Sequence, residues 1–122
     1  MKIDQLIDRN YTSISILEDM YEVSEWLKEL DYLCVVDEEL KIKGIITLKD
    51  VHVNTCSSVL DCNFKKPFVD IEESIFDVYR LMVEAKTDYL PVTHQNKFAG
   101  VISLRNITDI LVDRVGDNYS TF

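Results

Sequence analysis

The sequence predicts an α+β fold built from two similar units, each with the element order β-α-β-β-α. The main observation is an internal repeat: the segment Gly44–Val51 recurs as Gly100–Ile107, with three of eight positions identical and five of the same chemical type. A second segment, Asp31–Leu33, recurs as Asp88–Leu90. The two pairs are 56 and 57 residues apart, so the repeats differ by one residue in an intervening turn. Apolar residues at strand and helix spacing follow in the same order in each half.

The first repeat is predicted to span residues 1–57 and the second residues 58–122. In the first repeat, apolar residues at helical spacing alternate with short β-rich runs, and the charged residues 37–39 form a turn between two strands. Its predicted elements, in order, are a short helix at Ile3–Asp8, a strand at Ser13–Ile16, a helix carrying Met20, Val23, Leu27 and Leu30, strands at Leu33–Val36 and Ile42–Thr47, and a helix from Leu48.

The second repeat follows the same order, and its final helix is expected to end at Gly116. One unit of three strands and two helices cannot cover both faces of its own sheet. We therefore expect two units related by a pseudo-two-fold axis, with their sheets packed together and their helices outside. The predicted elements are a strand at Phe68–Ile71, a helix carrying Ile75, Val78, Met82 and Ala85, strands at Leu90–Thr93 and Phe98–Ser103, and a helix with Ile107, Ile110, Leu111 and Val115 on its apolar face.

Length and composition fit one soluble domain and exclude several classes of partner. The chain has 122 residues, 47% apolar and 29% charged, with a net charge of −9. A basic footprint and an apolar run of roughly 20 residues are both absent, so we expect neither nucleic-acid binding nor membrane insertion. Three cysteines without a CxxC pair do not predict a disulfide framework and fit a reducing cytoplasm. The spacing of His52, Cys56 and Cys62 matches no standard zinc pattern, so no metal site is expected.

The candidate binding residues follow the last strand of each repeat, where a helix begins. In the first repeat they are Thr47, Lys49 and Asp50: a hydroxyl, a cation and a carboxylate beside helical N–H groups without partners in their own helix. Such a set suits a phosphate and a ribose diol. The same spacing is typical of a capping box, and both interpretations stay open. The corresponding set in the second repeat is Ser103, Arg105 and Asn106.

The residues of both repeats resemble a known family. The run Cys34–Asp37, followed by a charged turn and Gly44–Val51, resembles a CBS motif, and Leu90–Val92 with Gly100–Ile107 resembles it again. The resemblance covers the chain from its first residue to about Val115. It indicates a tandem CBS pair, also called a Bateman module.

The resemblance implies a regulatory module. Such pairs bind AMP, ADP, ATP or S-adenosylmethionine in clefts between the two repeats, require no resident cofactor, and modulate a fused or separate effector. They commonly dimerise through helices, and we expect a homodimer that involves Trp26 or Tyr79, with core packing of these aromatics as the alternative. A ligand-free structural or dimerisation module is the alternative function. An enzyme is not expected, because the sequence has no Ser-His-Asp order, no glycine-rich phosphate loop and only three glycines.

The resemblance also implies roles for individual residues. The family places a ribose-binding acid at the fourth position of its [Ser/Thr]-x-x-Asp pattern, where Asp50 stands. The second repeat departs from this pattern at Asn106, whose amide lacks the charge of a carboxylate. We therefore expect the first repeat to bind ligand more tightly. The segment before each first helix is expected to hold the base, and Lys66 gives it a basic site that suits an anionic ligand or is a solvated turn. These additional residues are Ser13, Ile14, Lys66, Phe68 and Val69.

Overall fold

A computed structural model of the chain describes residues 2–53 and 57–119, and the side chains of residues 2–51 and 57–112. The chain forms two compact units. One, here called the central unit, is Asn10–Lys66. The other, here called the terminal unit, combines Met1–Arg9 with Pro67–Phe122.

The central unit contains a three-stranded sheet with the strand order β1-β2-β3. β1 runs parallel to β2, and β2 runs antiparallel to β3. Its core is formed by the apolar faces of the sheet and of α1, and Leu30, predicted on α1, packs against this core from beyond the end of the helix. The elements are β1 (Ser13–Ser15), α1 (Met20–Leu27), β2 (Leu33–Val36), β3 (Ile42–Ile46), α2 (Leu48–Val53) and a 3-10 turn at Val59–Asp61.

The terminal unit has the same topology, with the strand order β4-β5-β6. Its last two strands are joined by Gln95 and Asn96, whose φ angles of 53° and 63° are those of a tight two-residue hairpin turn. The elements are a 3-10 turn at Asp4–Leu6, β4 (Val69–Asp70), α3 (Ile75–Ala85), β5 (Tyr89–His94), β6 (Lys97–Ser103) and α4 (Leu104–Tyr119). The predicted α+β class and the repeated β-α-β-β-α order are confirmed.

Two predictions about helices differ from the structure in their bounds. The short helical stretch expected over Ile3–Asp8 is a single 3-10 turn at Asp4–Leu6, and Asp8 beyond it pairs with Val101 as an isolated β-bridge. α4 does not end at Gly116 but continues to Tyr119, since a glycine within a helix costs only about 1 kcal/mol relative to alanine. The predicted apolar position Val115 and the residues His52 and Cys56 have side chains that lie outside the described part of the chain.

The third strand of each sheet pairs with a segment that the predicted boundary assigns to the other repeat. The N–H of Ile45 in β3 donates to the carbonyl of Phe64 at 2.9 Å. In the terminal unit, Val101 in β6 and Asp8 exchange two backbone hydrogen bonds of 2.8 and 3.0 Å. Residues after the first repeat thus remain with the central unit, while the N-terminal residues join the second repeat.

The pairing of each third strand with a segment of the other repeat explains why the compact units differ from the predicted repeats. The prediction placed the division between residues 57 and 58, and it stays a prediction about the duplicated sequence. The units divide the chain at Arg9 and at Lys66 instead. The segments that pair with the third strands also contribute core residues. Ile3 lies in the terminal core and Phe64 in the central core.

The cysteines differ in their surroundings. Cys34 is buried on β2, as expected for a small core residue. Cys62 is buried in the central core and takes part in a disulfide, which the spacing of the cysteines does not predict. Among the described residues, no helix combines the length and the apolar character that crossing a lipid bilayer requires.

Candidate functional site

The side chains of Thr47 and Asp50 at the start of α2 contact each other. Asp50 Oδ2 accepts a hydrogen bond from the Thr47 N–H at 2.9 Å and one from the Thr47 hydroxyl at 3.0 Å. The N–H of Asp50 approaches Thr47 Oγ1 at 3.4 Å. This is the geometry of a capping box, one of the two interpretations that the sequence left open.

The other oxygen of Asp50 is bound by Lys66. Lys66 Nζ lies 2.8 Å from Asp50 Oδ1 and 2.9 Å from the carbonyl oxygen of Asn63. The exposed fractions of the Lys66 and Asp50 side chains are only 7% and 13%. Both carboxylate oxygens therefore accept hydrogen bonds from the chain itself, and a ribose diol would have to compete with these donors.

The helix that follows adds little attraction for an anion. α2 has six residues, so few peptide dipoles are aligned toward its start. Lys49, the cation of the set predicted in the first repeat, is exposed to solvent. Thr47, Asp50 and Lys66 form one cluster, and its contacts hold the start of α2 against the segment that leads out of the central unit.

The start of α4 in the terminal unit is built differently. Ser103 Oγ accepts the N–H of Asn106 at 3.1 Å, which preserves the cap, but a carboxylate that folds back is missing because Asn106 replaces the acid. The Asn106 side-chain amide donates instead to the carbonyl of Leu6 at 3.4 Å. The first N–H of the helix, that of Leu104, donates to the carbonyl of Asp88 at 2.8 Å.

A cavity of about 300 Å³ opens beside the start of α4. It lies where β6 passes into α4 and where β5 begins, since Tyr89 at the start of β5 pairs with Ser103 at the end of β6. Arg105 and Asp88 are exposed, and the other lining residues are half-buried. Its lining residues are Asp88, Tyr89, Ser103, Leu104, Arg105 and Thr108. Ser103 and Arg105 of the predicted set thus line one cavity.

The residues predicted to hold a base lie elsewhere. The side chains of Ile14 and Val69 are buried in the two cores, so each can offer a ligand only backbone atoms. The carbonyl of Val69 is approached by the Thr93 hydroxyl at 3.4 Å. Ser13 and Phe68 are exposed, and neither they nor Asn106 belong to the cavity lining.

Sequence reasoning missed four residues of the cavity lining. The sequence gives a partial indication of two of them, Asp88 and Tyr89. The recurrence of Asp31–Leu33 as Asp88–Leu90 draws attention to these residues, but by itself it indicates only duplication. Which residues face one another across β5, β6 and α4 depends on strand register, which a single short motif does not contain. The missed residues are Asp88, Tyr89, Leu104 and Thr108.

Comparison with known proteins identifies the fold. Residues 3–52 and 60–113 both match the family model described as CBS domain. The chain belongs to the CBS domain family. Because the two matches are adjacent, the chain is a tandem CBS pair, as its resemblance implied.

Curated relatives of the CBS pair include a transport protein. The chain is 27% identical over 120 residues to the carnitine transport ATP-binding protein OpuCA of Listeria monocytogenes. The match covers 93% of this chain and 30% of the relative, so the chain spans about a third of that protein.

Solved structures of CBS pairs superpose closely on this chain. The CBS domain pair of protein MJ0100, in complex with 5′-methylthioadenosine and S-adenosyl-L-methionine, has a TM-score of 0.77 at 16% identity, covering 91% of this chain and 99% of the other. The cytosolic domain of the Mg²⁺ channel MgtE, in complex with ATP, has a TM-score of 0.70 at 24% identity, covering 89% and 48%. At these identities the likeness establishes the fold.

Proposed function

We propose that this CBS pair is a regulatory module that binds an adenosine-containing ligand, such as AMP, ADP, ATP or S-adenosylmethionine, and modulates a partner domain or protein. The cavity beside α4 is the observation that carries the proposal. Tyr89, Ser103 and Arg105 line it, and these residues carry an aromatic ring, a hydroxyl and a guanidinium. An aromatic face can stack on a purine, and a guanidinium can bind a phosphate or carboxylate through two hydrogen bonds.

The ligands of structural neighbours support this ligand class. The neighbour MJ0100 is a complex with two adenosine derivatives, and the MgtE neighbour is a complex with ATP. A role beside an effector is supported by OpuCA, a transport ATP-binding protein much longer than this chain. We propose a cytoplasmic location, which agrees with the cytosolic domain of MgtE as a neighbour.

We propose that the terminal unit binds the ligand more tightly than the central unit, which reverses the order expected from the sequence. That expectation depended on the carboxylate of Asp50 being available to a ribose. Asp50 instead accepts hydrogen bonds from Thr47 and from the nearly buried ammonium of Lys66. A ligand that displaced Lys66 would leave a buried charge without its partner, which is costly.

A second candidate function is a structural or dimerisation module. Phe76, Tyr79 and Val83 follow one another at helical spacing on α3 and are 53%, 38% and 54% exposed. Trp26 on α1 is 49% exposed. Exposed aromatics of this kind are enriched at protein interfaces, so we propose a homodimer that buries these helix faces. Dimerisation is compatible with ligand binding and would be the main function if no ligand binds.

Thermal unfolding of the purified chain with and without each ligand tests the proposed function. At a ligand concentration about 100-fold above the dissociation constant, the native state gains roughly 2.7 kcal/mol, which raises the Tm of a domain of this size by about 3–6 °C. Arg105→Gln should reduce the shift, whereas Arg80→Gln, which changes an exposed arginine of α3, should preserve it. If none of the four ligands shifts the Tm at millimolar concentration, the structural module is the better description.

A further inference from the structure

Two charged residues are among the described residues that line the α4 cavity. They are Asp88 and Arg105, and both are exposed. The other four lining residues, Tyr89, Ser103, Leu104 and Thr108, carry no charge at neutral pH. The described part of the lining is therefore neutral in sum, within a chain whose net charge is −9.

The arrangement is unfavourable for a polyphosphate. One guanidinium can bind one phosphate or carboxylate with two hydrogen bonds, and the lining residues that the structure describes include no second cation for further phosphates. Each additional phosphate brings more negative charge near Asp88 and into the field of an acidic protein.

We infer that Asp88 is a specificity-determining residue that selects a positively charged or zwitterionic adenosine ligand, of the S-adenosylmethionine type, over nucleoside polyphosphates. In such a ligand the carboxylate can bind Arg105, while the ammonium or sulfonium group is attracted by Asp88. Each phosphate beyond the first weakens the binding of an adenosine nucleotide. This inference rests on the proposed function, because it concerns the ligand of the same cavity.

Isothermal titration calorimetry with a charge series tests the inference. The series is adenosine, AMP, ADP and ATP, measured without divalent cations, together with S-adenosylmethionine. We expect S-adenosylmethionine to bind the most tightly and ATP at least about tenfold more weakly. Because the discrimination is electrostatic, it should diminish at about 1 M salt, where the Debye length falls to about 3 Å.

Two variants that each remove one negative charge separate the effect of Asp88 from that of net charge. Asp88→Asn keeps the shape of the side chain and the backbone carbonyl that accepts the Leu104 N–H. It should bind ATP about three- to tenfold more tightly than the natural chain and S-adenosylmethionine more weakly. Glu38→Gln, in the exposed β2–β3 turn of the central unit, should leave both affinities within about twofold.

The results distinguish this inference from the proposed function. If the natural chain binds ATP as tightly as S-adenosylmethionine, or if Asp88→Asn changes the ratio no more than Glu38→Gln, the role of Asp88 is refuted while the proposed function stands. If no member of the series binds, the proposed function fails and the inference with it. Circular dichroism of both variants checks that each is folded before the affinities are compared.

Discussion

Asp50 and Lys66 illustrate, at the scale of single residues, how one sequence pattern serves two purposes. The spacing of Thr47 and Asp50 predicts both a ribose site and a helix cap, and nothing within the four residues distinguishes them. The distinction comes from Lys66, sixteen residues later, whose ammonium lies against the carboxylate. The identity of the motif residues could be predicted from the sequence, but their hydrogen-bond partners could not, because these depend on the path of a distant segment.

Replacing Lys66 should measure the structural role of this cluster. Lys66→Gln removes a charge-assisted hydrogen bond to a largely buried carboxylate, so the free energy of unfolding should fall by about 1.5–3 kcal/mol. Lys65→Gln changes the exposed neighbour and should cost less than about 0.5 kcal/mol. Urea denaturation of the three proteins gives both values. Equal, small losses would mean that the ion pair does not stabilise the central unit.

The turn between β2 and β3 should make a pH-dependent contribution to stability. Asp37 Oδ1 accepts the N–H of Lys41 at 3.0 Å and that of Glu39 at 2.9 Å. The Lys41 hydrogen bond, together with that of Glu39 and the nearby Lys43, lowers the pKa of Asp37 below its ordinary value of 3.8. A lowered pKa stabilises the native state above pH 3.8, and this stabilisation is lost as the pH falls through the native value.

Asp37→Ala tests this linkage. The variant should be less stable than the natural chain at pH 7, and the difference should shrink as the pH is lowered below about 4. Urea denaturation at a series of pH values measures the difference in unfolding free energy. Asp37→Asn is the control, since its side-chain oxygen can still accept the two N–H groups but does not titrate. A difference that stays constant down to acid pH would contradict the assignment.

At the scale of elements, the sequence predicts the helices and strands well. It does not predict that the segments around Asp8 and Phe64 pair with the third strand of the other repeat's sheet. The bounds of β2 agree with the hydrophobic run Leu33–Val36, β3 begins at the predicted residue, and α3 contains all four of its predicted apolar positions. These elements are predictable because their periodicity is local. The pairing of Phe64 with β3 and of Asp8 with β6 is not predictable, because the paired residues are distant in sequence. No sequence pattern at Phe64 or Asp8 indicates which strand each will contact.

Gly44 in β3 and Gly100 in β6 allow the segments around Phe64 and Asp8 to approach these strands closely. A Cβ at Gly44 would lie 1.9 Å from the carbonyl oxygen of Phe64, and one at Gly100 would lie 2.3 Å from Ile7 Cγ2 and 2.6 Å from the carbonyl oxygen of Asp8. Gly44→Ala and Gly100→Ala should therefore each lower the unfolding free energy by about 2 kcal/mol or more, since backbone must move. Gly116→Ala, within α4, should be neutral or stabilising. A Gly44→Ala protein as stable as the Gly116→Ala protein would show that Phe64 does not approach β3 this closely.

At the scale of the whole molecule, duplication of one unit could be predicted from the sequence, but the difference between the two copies could not. Both copies cap the helix after their third strand, yet only the central one holds a carboxylate there, and its own lysine binds it. The cavity lies in the other copy. A site near Ser103 and Arg105 was predictable from the repeat, whereas its lining by Asp88 and Tyr89 required the register of β5 against β6.

Self-association is a prediction about the whole molecule. Light scattering at micromolar concentration should give a mass of twice 14.2 kDa, because α3 exposes an apolar face that association would cover. Phe76→Glu places a charge on that face and should shift the mass toward 14.2 kDa, while Lys97→Gln, in the β5–β6 hairpin, should not. A mass of 14.2 kDa for the natural chain at all accessible concentrations would exclude the homodimer.

The location of the bound ligand can be measured directly by nuclear magnetic resonance of the ¹⁵N-labelled chain titrated with S-adenosylmethionine. Binding in the α4 cavity should shift the amide signals of Asp88, Tyr89 and of Ser103 through Thr108 first, and those of Thr47 through Val51 little or only at higher concentration. Shifts that begin at Thr47 and Asp50 while the α4 signals stay fixed would contradict the proposed site. A spectrum left unchanged by millimolar S-adenosylmethionine, AMP, ADP and ATP in turn would contradict ligand sensing by this CBS pair altogether.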